Sequence, residues 1–427
     1  MENLERVLQL NIGVAQEDNG RMFDLLSEIF PLDILSIPSG TEYNGWIVPD
    51  DWQVKRASIS GSMRQFFDGT EHPLAVAQYS DSFHGTVNYR ELYEHVFTRP
   101  DVPSAYPYHS QWLYRPWESN WGFCVPYNQY TAWPDCDYHI DLETVKTPGH
   151  MKIGYSHIEG YYPETIVFAA HTCHACQAND GLAAVFVLLE LFKWITQRQR
   201  KYSYLLLLGP EHYGTIFYLK QQRDLSIYRG GVFLDMPGSD GPLYLQRSFE
   251  QNTAIDDIAE YTMRQVQPDL QIGPYAETFG NDETVWENMA EMPMVAVSRW
   301  PYREYHTSAD NLDIIIDAKM SETLEALKKM VLLIEKNFRF DSGPTYLSLS
   351  NPNYNLYRHH PVPGVVRPLC RSERNMARMQ GSLFRWFNSD KTLLDMARRW
   401  DIPFTTLHEY IKHFQDKSLL KVKENWL

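Results

Sequence analysis

The chain has 427 residues and a formal net charge of −15, with 22% charged and 44% hydrophobic residues. This length predicts two or three folded domains, each able to bury a core of its own. The acidic balance argues against nucleic acid or a membrane surface as a partner, because both require clustered lysine and arginine.

The N-terminal segment, MENLERVLQLNIGVAQEDNG, lacks the basic start and apolar centre of a secretory signal. No run of about 18 apolar residues occurs along the chain, so no membrane span is expected. The five cysteines are an odd number without disulfide-framework spacing. Together these features predict a reduced, cytoplasmic protein.

Residues 51–135 are rich in proline, tyrosine and tryptophan and predict short strands joined by loops. We expect a small β-rich domain inserted into a core formed by residues 1–50 and 136–340. Aromatic residues are densest from Tyr106 to Tyr130. They either form the core of this insert or build a wall above a site, where they would restrict access or stack on a substrate ring.

Strands and helices alternate regularly from Thr165 to Phe338. The segments TIVFAAH, YSYLLLLG, GGVFLDM and MPMVAVSR predict buried strands, and segments with helical periodicity lie between them. This alternation predicts an α/β fold with a mostly parallel sheet flanked by helices. Ligands bind beyond the carboxyl ends of the strands in such sheets.

The C-terminal part is predicted to form a linker over residues 341–371 and a winged helix over residues 372–427. Basic residues exceed acidic ones only slightly after Ser372, and the predicted second helix, TTLHEYIKHF, has no arginine to read guanine. The pattern therefore favours an interaction module over DNA binding. A homo-oligomer formed through the insert or the winged helix is a further prediction.

Polar residues follow each predicted strand of the α/β core. Because the carboxyl ends of parallel strands meet at one edge, these side chains are expected to converge. Imidazoles and carboxylates are the usual ligands of hydrolytic zinc sites, which keep one coordination position open. The sequence therefore predicts a metal site. Its candidate residues, in chain order, are His171, Asp180, Glu211, His212, Asp235 and His306.

The order of the motifs HTCHACQAND, PEHYG, LDMPG, GND and YHTSAD resembles the zinc aminopeptidase clan, which includes bacterial leucine aminopeptidase, glutamate carboxypeptidase and glutaminyl cyclase. More narrowly, the chain is similar to a bacterial aminopeptidase-like family found near polysaccharide or natural-product biosynthesis genes. NGWIVPDDW, SNWGFCVP and the winged-helix tail match the layout of that family. The resemblance covers nearly the whole chain and implies a zinc-exopeptidase fold.

The resemblance also implies one or two zinc ions and a hydrolase that cleaves an N-terminal peptide or amide bond of a small peptide or aminoacyl conjugate. Glu211 would act as the general base that takes a proton from a metal-activated water and passes it to the leaving amine. The two-ion arrangement favoured by the sequence has the ligand sets His171/Asp180/Asp235 and Asp180/His212/His306.

Two positions depart from the clan pattern. Cys173 replaces the aspartate that orients the first ligand histidine. His212 replaces the second glutamate of a Glu-Glu pair, so it either binds the second ion or points away and leaves one ion. His174 is a spare ligand, and Asp282 is a candidate ligand or support. Cys173 and Cys176 have dithiol spacing, although packing in a tight turn is favoured because QAND separates them from the next helix.

Arg247, Arg299 and Tyr305 lie near the strand-end motifs and are candidates for binding the substrate, although the arginines could instead form structural ion pairs. Three alternatives to a hydrolase remain at this point. They are an acyl transferase or cyclase of the same clan, a DNA-binding regulator that senses a small ligand, and a metal-free pseudo-enzyme in a biosynthetic complex.

Overall fold

The computed structural model describes residues 2–277, 280–358 and 370–427. The chain divides into two compact units, the first ending at Leu327 and the second starting at Lys328. This boundary lies within a long helix, earlier than the predicted end of the α/β core at residue 340. Within the described part of the chain, no helix is both long and apolar enough to cross a membrane.

The strands and helices follow in chain order. The strands are β1 (Asp33–Pro38), β2 (Glu42–Tyr43), β3 (Trp46–Ile47), β4 (Asp51–Ser60), β5 (Gln65–Asp68), β6 (Phe83–Asn88), β7 (Val96–Phe97), β8 (Phe123–Cys124), β9 (Asp137–Thr147), β10 (His150–Ile158), β11 (Thr165–His171), β12 (Ser203–Gly209), β13 (Tyr228–Leu234), β14 (Leu243–Gln246), β15 (Gln271–Gly273), β16 (Met294–Arg299), β17 (Arg339–Ser342) and β18 (Lys421–Lys423). The α-helices are α1 (Glu2–Leu8), α2 (Asp18–Ile29), α3 (Tyr89–Tyr93), α4 (Tyr127–Tyr130), α5 (Ala183–Thr196), α6 (Tyr213–Lys220), α7 (Ala254–Met263), α8 (Asp282–Ala290), α9 (Asp317–Lys336), α10 (Arg371–Met379), α11 (Leu383–Phe387), α12 (Leu393–Trp400) and α13 (Phe404–Asp416).

The first unit is built on an eight-stranded sheet with the order β1-β10-β12-β11-β13-β16-β14-β15. The four central strands, β12, β11, β13 and β16, run parallel. Strands β1, β10 and β14 pair antiparallel with their neighbours towards the edges. The predicted α/β fold with a mostly parallel sheet flanked by helices is confirmed.

The centre of this sheet is apolar on both faces. Every residue of β11 and of β12 is buried, as expected for parallel strands covered by helices on both sides. The ring of Phe168 in β11 lies edge-on to Phe192 of α5, with a centroid distance of 6.1 Å, and stacks near Tyr204 of β12 at 6.4 Å. This packing holds β11 in place, and β11 carries the first polar residue of the site at its end.

The predicted insert forms a four-stranded antiparallel sheet with the order β5-β4-β9-β6. Strand β9 extends this sheet to Thr147, beyond the predicted end of the insert at residue 135, because it pairs with both β4 and β6. The apolar segment PLAVAQYS of the insert is not one of these strands and makes an isolated bridge from Val76 to Phe123. Its buried apolar residues pack in a loop.

The second unit contains two helices joined by a short turn and followed by a strand. Helices α12 and α13 flank the turn, in which Asp401 adopts a left-handed conformation with φ of 50°. Strand β18 then pairs antiparallel with β17. This is the helix-turn-helix and strand layout predicted for a winged helix. Part of the predicted linker over 341–371 lies outside the described residues, at 359–369.

We expect Phe168→Ala to lower the free energy of unfolding of the first unit by about 3–5 kcal/mol, because it leaves a cavity in a close-packed sheet. Urea unfolding followed by circular dichroism measures this change. Phe249→Ala is the matched control, since Phe249 is 61% exposed and its removal should change stability by about 0.5 kcal/mol or less. If Phe168→Ala does not fold, Phe168→Leu should cost less than Phe168→Ala, because it leaves a smaller cavity. Equal effects of Phe168→Ala and Phe249→Ala would contradict the packing described.

Candidate metal centre

The ends of the four central parallel strands bring the candidate residues together. Strand β11 ends at His171, and Glu211 follows the end of β12 by two residues. Asp235 comes directly after β13, and His306 lies in the loop after β16. Because these strands are parallel neighbours, their carboxyl ends share one edge, as the sequence pattern predicts.

The carboxylate of Asp180 lies at the centre of the site. Its Oδ1 is 3.2 Å from Nε2 of His171, and its Oδ2 is 3.3 Å from Nε2 of His174 and 3.3 Å from Nε2 of His306. The Oδ1 of Asp235 is also 3.2 Å from Nε2 of His171. Two of the three donor groups among the described residues, His171/Asp180/Asp235 and His174/Asp180/His306, share Asp180, and the third consists of His171, Cys173 and Glu211.

The second group contains His174, whereas the sequence favoured His212 in this place. The structure places the His212 imidazole outside every donor group found among the described residues. Its Nε2 lies 3.9 Å from Glu211 Oε1, and its ring lies 5.8 Å from that of Trp46. His174, which the sequence offered only as a spare ligand, thus faces the bridging carboxylate of Asp180, and His212 lines the neighbouring cavity.

The hydrogen bonding of His174 indicates that a cation belongs beside it. Nδ1 of His174 lies 2.7 Å from the carbonyl oxygen of Ala175, which can only accept, so Nδ1 carries the proton. In the neutral ring, the lone pair of Nε2 then points at the carboxylate of Asp180. Burial lowers the pKa of His174 and disfavours the imidazolium that would otherwise bridge the two. A metal ion would satisfy both lone pairs.

The spacing of the donors also fits zinc. Zinc bonds of about 2.0–2.1 Å in tetrahedral geometry separate neighbouring ligand atoms by about 3.3 Å. The four imidazole–carboxylate distances in the two groups are 3.2 or 3.3 Å. Each group supplies three protein donors and so leaves one position for water or substrate, which is the arrangement of catalytic zinc sites.

His171 has the thiol of Cys173 where the clan pattern places a carboxylate. Nδ1 of His171 lies 3.0 Å from Sγ of Cys173, and Oε1 of Gln177 accepts from the Cys173 backbone N–H at 3.4 Å. Burial raises the pKa of the Cys173 thiol to about 11, so the neutral thiol is favoured over the thiolate that binds metals. Cys173 therefore contacts the ring of His171 as a neutral thiol, and it belongs to the third donor group with His171 and Glu211.

The loop that carries Asp180 has a conformation that depends on glycine. Asp180 and Gly181 leave helical dihedrals within the distorted turn Ala178–Leu182, and Gly181 has φ of 98°. A Cβ at Gly181 would lie 2.7 Å from the carbonyl oxygen of His171. The N–H of Gly181 donates to Asp235 Oδ1 at 3.0 Å and so connects the carboxylates of the first group.

Asp310 supports the same loop and was not singled out by the sequence reasoning. Its carboxylate accepts from the backbone N–H groups of Asn179 and Asp180 at 2.7 and 3.0 Å, and from the hydroxyl of Tyr302 at 2.9 Å. Burial, together with the nearby charge of Asp180, raises the pKa of Asp310 to about 8. Asp310 is the final residue of the YHTSAD motif, and this position is the sequence signal that could have identified it.

Glu211 lies beside the donor groups on a strained turn. The N–H of Tyr213 donates to the Glu211 carbonyl at 2.7 Å, closing a γ-turn at His212, whose φ is 58° and ψ −54°. Asp282 accepts from the His212 N–H at 2.9 Å and so supports this turn rather than a metal. Burial raises the pKa of the Glu211 carboxyl to about 8; the Asp282, Asp180 and Asp235 charges add to the rise, and His171 opposes it.

A cavity of about 330 Å³ opens at Glu211. The side chain of Glu211 is 22% exposed there, whereas both side chains of the His171–Asp180 pair are almost fully buried. The insert supplies one wall, because Tyr108 stacks on His174 at 3.9 Å and its N–H donates to the His306 carbonyl at 2.8 Å. The aromatic residues of the insert thus form both the core of the insert and one wall of the site.

The two arginines proposed as substrate contacts form ion pairs instead. Arg299 is buried and donates to Glu322 at 2.8 Å, and Arg247 donates to Glu260 at 2.5 Å. Tyr305 stacks on His306 with a centroid distance of 3.8 Å and so supports a donor imidazole. Cys176 lies 3.9 Å from Nε2 of His72, apart from the donor groups.

The fold around this centre is that of the zinc aminopeptidases. The chain is similar to a zinc aminopeptidase from Bacillus subtilis, with a TM-score of 0.56 and 12% identity over 77% of this chain and 93% of that one. It is also similar over 99% of its length to the crystal structure of a provisionally named peptidase from Clostridium acetobutylicum, with a TM-score of 0.82, 23% identity and 95% of that chain covered. The resemblance to the zinc aminopeptidase clan is confirmed.

The chain belongs to the family described as domain of unknown function DUF4910, whose model matches residues 2–337. A curated relative from Clostridium acetobutylicum is 27% identical over 335 residues, which are 77% of this chain and 75% of the relative. That relative carries the provisional name of a polysaccharide biosynthesis protein with an aminopeptidase-like domain.

We expect His174→Ala to remove about one zinc ion per chain and His212→Ala to remove none, because His174 faces the bridging carboxylate and His212 does not. Mass spectrometric metal analysis of purified protein, without added zinc, measures the content against a wild-type value of about two. Asp180→Asn should lower both ions, because the two donor groups share this residue. Loss of an ion from His212→Ala together with an unchanged His174→Ala variant would reverse the assignment.

Proposed function

We propose that the protein is a zinc-dependent aminopeptidase or amidohydrolase that cleaves an N-terminal peptide or amide bond of a small peptide or aminoacyl conjugate. One observation carries the proposal. The buried carboxylate of Asp180 is shared by two imidazole–carboxylate groups, and Glu211 lies next to them at the mouth of a cavity without belonging to either.

The donor set supports a two-ion centre. His171, Asp180 and Asp235 would hold one zinc ion, and Asp180, His174 and His306 the other. Mixed imidazole and carboxylate donors suit zinc better than calcium or magnesium, which prefer oxygen ligands alone. Zinc bound there would supply the Lewis acidity that polarises an amide carbonyl and lowers the pKa of water.

Glu211 is placed to move the proton that hydrolysis requires. Its carboxylate would accept a proton from water as the water oxygen bonds to the amide carbon, and would deliver that proton to the amide nitrogen as the C–N bond breaks. The products are a carboxylic acid and an amine, with the atoms of one water divided between them. The γ-turn at His212 and the hydrogen bond from its N–H to Asp282 hold the backbone that carries Glu211.

The size and walls of the cavity favour a small substrate. About 330 Å³ lies at the lower end of the range for pockets that enclose a small molecule. Tyr108 packs against His174 and His306 and so limits access from the side of the insert. A short peptide or an aminoacyl conjugate fits this arrangement better than a folded protein.

We expect Glu211→Gln to reduce kcat about 10²- to 10⁴-fold on a panel of dipeptides and aminoacyl amides, because glutamine cannot accept the proton. Zinc content should stay at the wild-type value, since Glu211 belongs to neither Asp180 group. Glu190→Gln is the matched control; its side chain is 52% exposed on α5, and activity should not change. Turnover by Glu211→Gln at more than a tenth of the wild-type rate would remove Glu211 from this role.

A further inference from the structure

A second cavity lies next to the one at Glu211 and shares two aromatic residues with it. The shared residues are Trp46 and Tyr114, so the two cavities adjoin at these rings. The second cavity measures about 230 Å³. Its lining residues are Asn44, Gly45, Trp46, Ile47, Tyr114, Pro116, Trp117 and Tyr213.

Trp46 is presented by a tight hairpin. Strands β2 and β3 are joined by Asn44 and Gly45, with φ of 50° and 86°, which is the conformation that an Asn-Gly pair favours in a two-residue turn. The N–H of Gly45 also donates to Oε1 of Glu42 at 2.7 Å. The turn therefore determines where the Trp46 ring projects.

The Trp46 ring is supported by other rings from separate parts of the chain. It lies edge-on to Tyr213 of α6 at 5.2 Å and to Tyr114 of the insert at 6.3 Å. Tyr114 and Tyr213 stack at 5.9 Å with an interplanar angle of 17°. Trp46 also lies 5.8 Å from His212, directly beside Glu211. The aromatic surface is thus continuous with the candidate catalytic residue.

The second cavity is uncharged. Each described residue that lines it has a side chain that is neutral at pH 7. A charged ligand group would find no partner there, and leaving its charge unpaired is costly. Trp117, which is 68% exposed, adds a further aromatic face that the folded first unit leaves open to solvent. A flat, uncharged ring with an apolar face is the group that such walls bind best.

We propose that this second cavity binds an uncharged ring of the substrate, either an aromatic ring or the apolar face of a sugar ring. A volume of about 230 Å³ is below the range of pockets for whole drug-sized ligands, so it suits one ring. The inference rests on the proposed function in one respect, namely that the bond attached to this ring is the amide cleaved at Glu211. The substrate class is then an amide that carries a neutral ring on one side of the scissile bond.

Ring binding is tested without turnover, on the zinc-loaded full chain and on its Glu211→Gln variant. The probes are aniline, methyl β-glucopyranoside and benzoate, and their binding is measured by saturation-transfer NMR and titration. We expect aniline, the glucoside or both to bind, and benzoate to bind more weakly than whichever of them binds. Trp117→Ala should weaken the binding of that ring about fivefold or more. Tyr161→Ala, which removes an aromatic ring that is 82% exposed elsewhere in the first unit, should change nothing.

Binding of aniline alone identifies an aromatic ring, and binding of the glucoside alone identifies a sugar ring. Failure of both probes to bind, equal binding of benzoate, or binding that Trp117→Ala leaves unchanged would each overturn the inference. Because Trp117 is mostly exposed, its variant should fold, and thermal unfolding confirms this. The ring assay does not depend on hydrolysis, so loss of ring binding and loss of the proposed activity are separate results.

A measurement of steady-state kinetics tests the two proposals together. Trp117→Ala should raise KM for leucine anilide or N-leucylglucosamine, whichever matches the ring that binds, and leave KM for leucinamide unchanged. The value of kcat should change little for either substrate, because Trp117 lies away from the donor groups. An equal rise of KM for leucinamide would show that the second cavity does not select the ring.

Discussion

The site depends on one constraint, the burial of the Asp180 carboxylate among three imidazoles. A buried carboxylate must be paired, and Asp180 has Nε2 atoms of His171, His174 and His306 within 3.3 Å. Nδ1 of His174 donates its proton to the carbonyl oxygen of Ala175, so the lone pair of Nε2 points at the Asp180 carboxylate. A cation would satisfy this arrangement without charging the ring of His174, whose pKa burial lowers. The distorted Asp180–Gly181 turn, the hydrogen bonds that Asp310 accepts and the stacking of Tyr108 and Tyr305 all maintain it.

The elements outside the parallel sheet give this centre its access and its selectivity. The insert reaches the site through Tyr108 and Tyr114, and the β2–β3 hairpin contributes Trp46. These elements meet at the γ-turn of His212, where a rare backbone conformation separates Glu211 on one side from the aromatic rings on the other. Strain of this kind is maintained only where surrounding contacts enforce it, and here Asp282 accepts from the His212 N–H. The imidazole of His212, which takes the place of a ligand glutamate of the clan pattern, thereby becomes part of the cavity wall.

The thiol of Cys173 changes the electrostatics of the centre. A carboxylate next to Nδ1 of a ligand histidine raises the basicity of the ring and adds a negative charge. The neutral Cys173 thiol keeps the contact, at 3.0 Å, and removes the charge. The second Asp180 group has His174 where the clan pattern places a carboxylate, so a further negative charge is absent there. The centre is therefore less negative than the clan pattern implies, while its fold remains that of the zinc aminopeptidases.

The sequence by itself determined the α/β fold and the strand ends that carry His171, Glu211 and Asp235. Short apolar runs that alternate with helical segments indicate parallel strands covered on both faces, and the residues after such strands share one edge of the sheet. Only the tertiary structure shows that His174, and not His212, faces Asp180, because this depends on the dihedrals of two turns that residue spacing does not encode. The contact of Asp310 with the Asp180 loop and the place of Trp46 in the cavity wall likewise depend on contacts between segments distant in sequence, and the ends of the insert depend on the long-range pairing of β9 with β4.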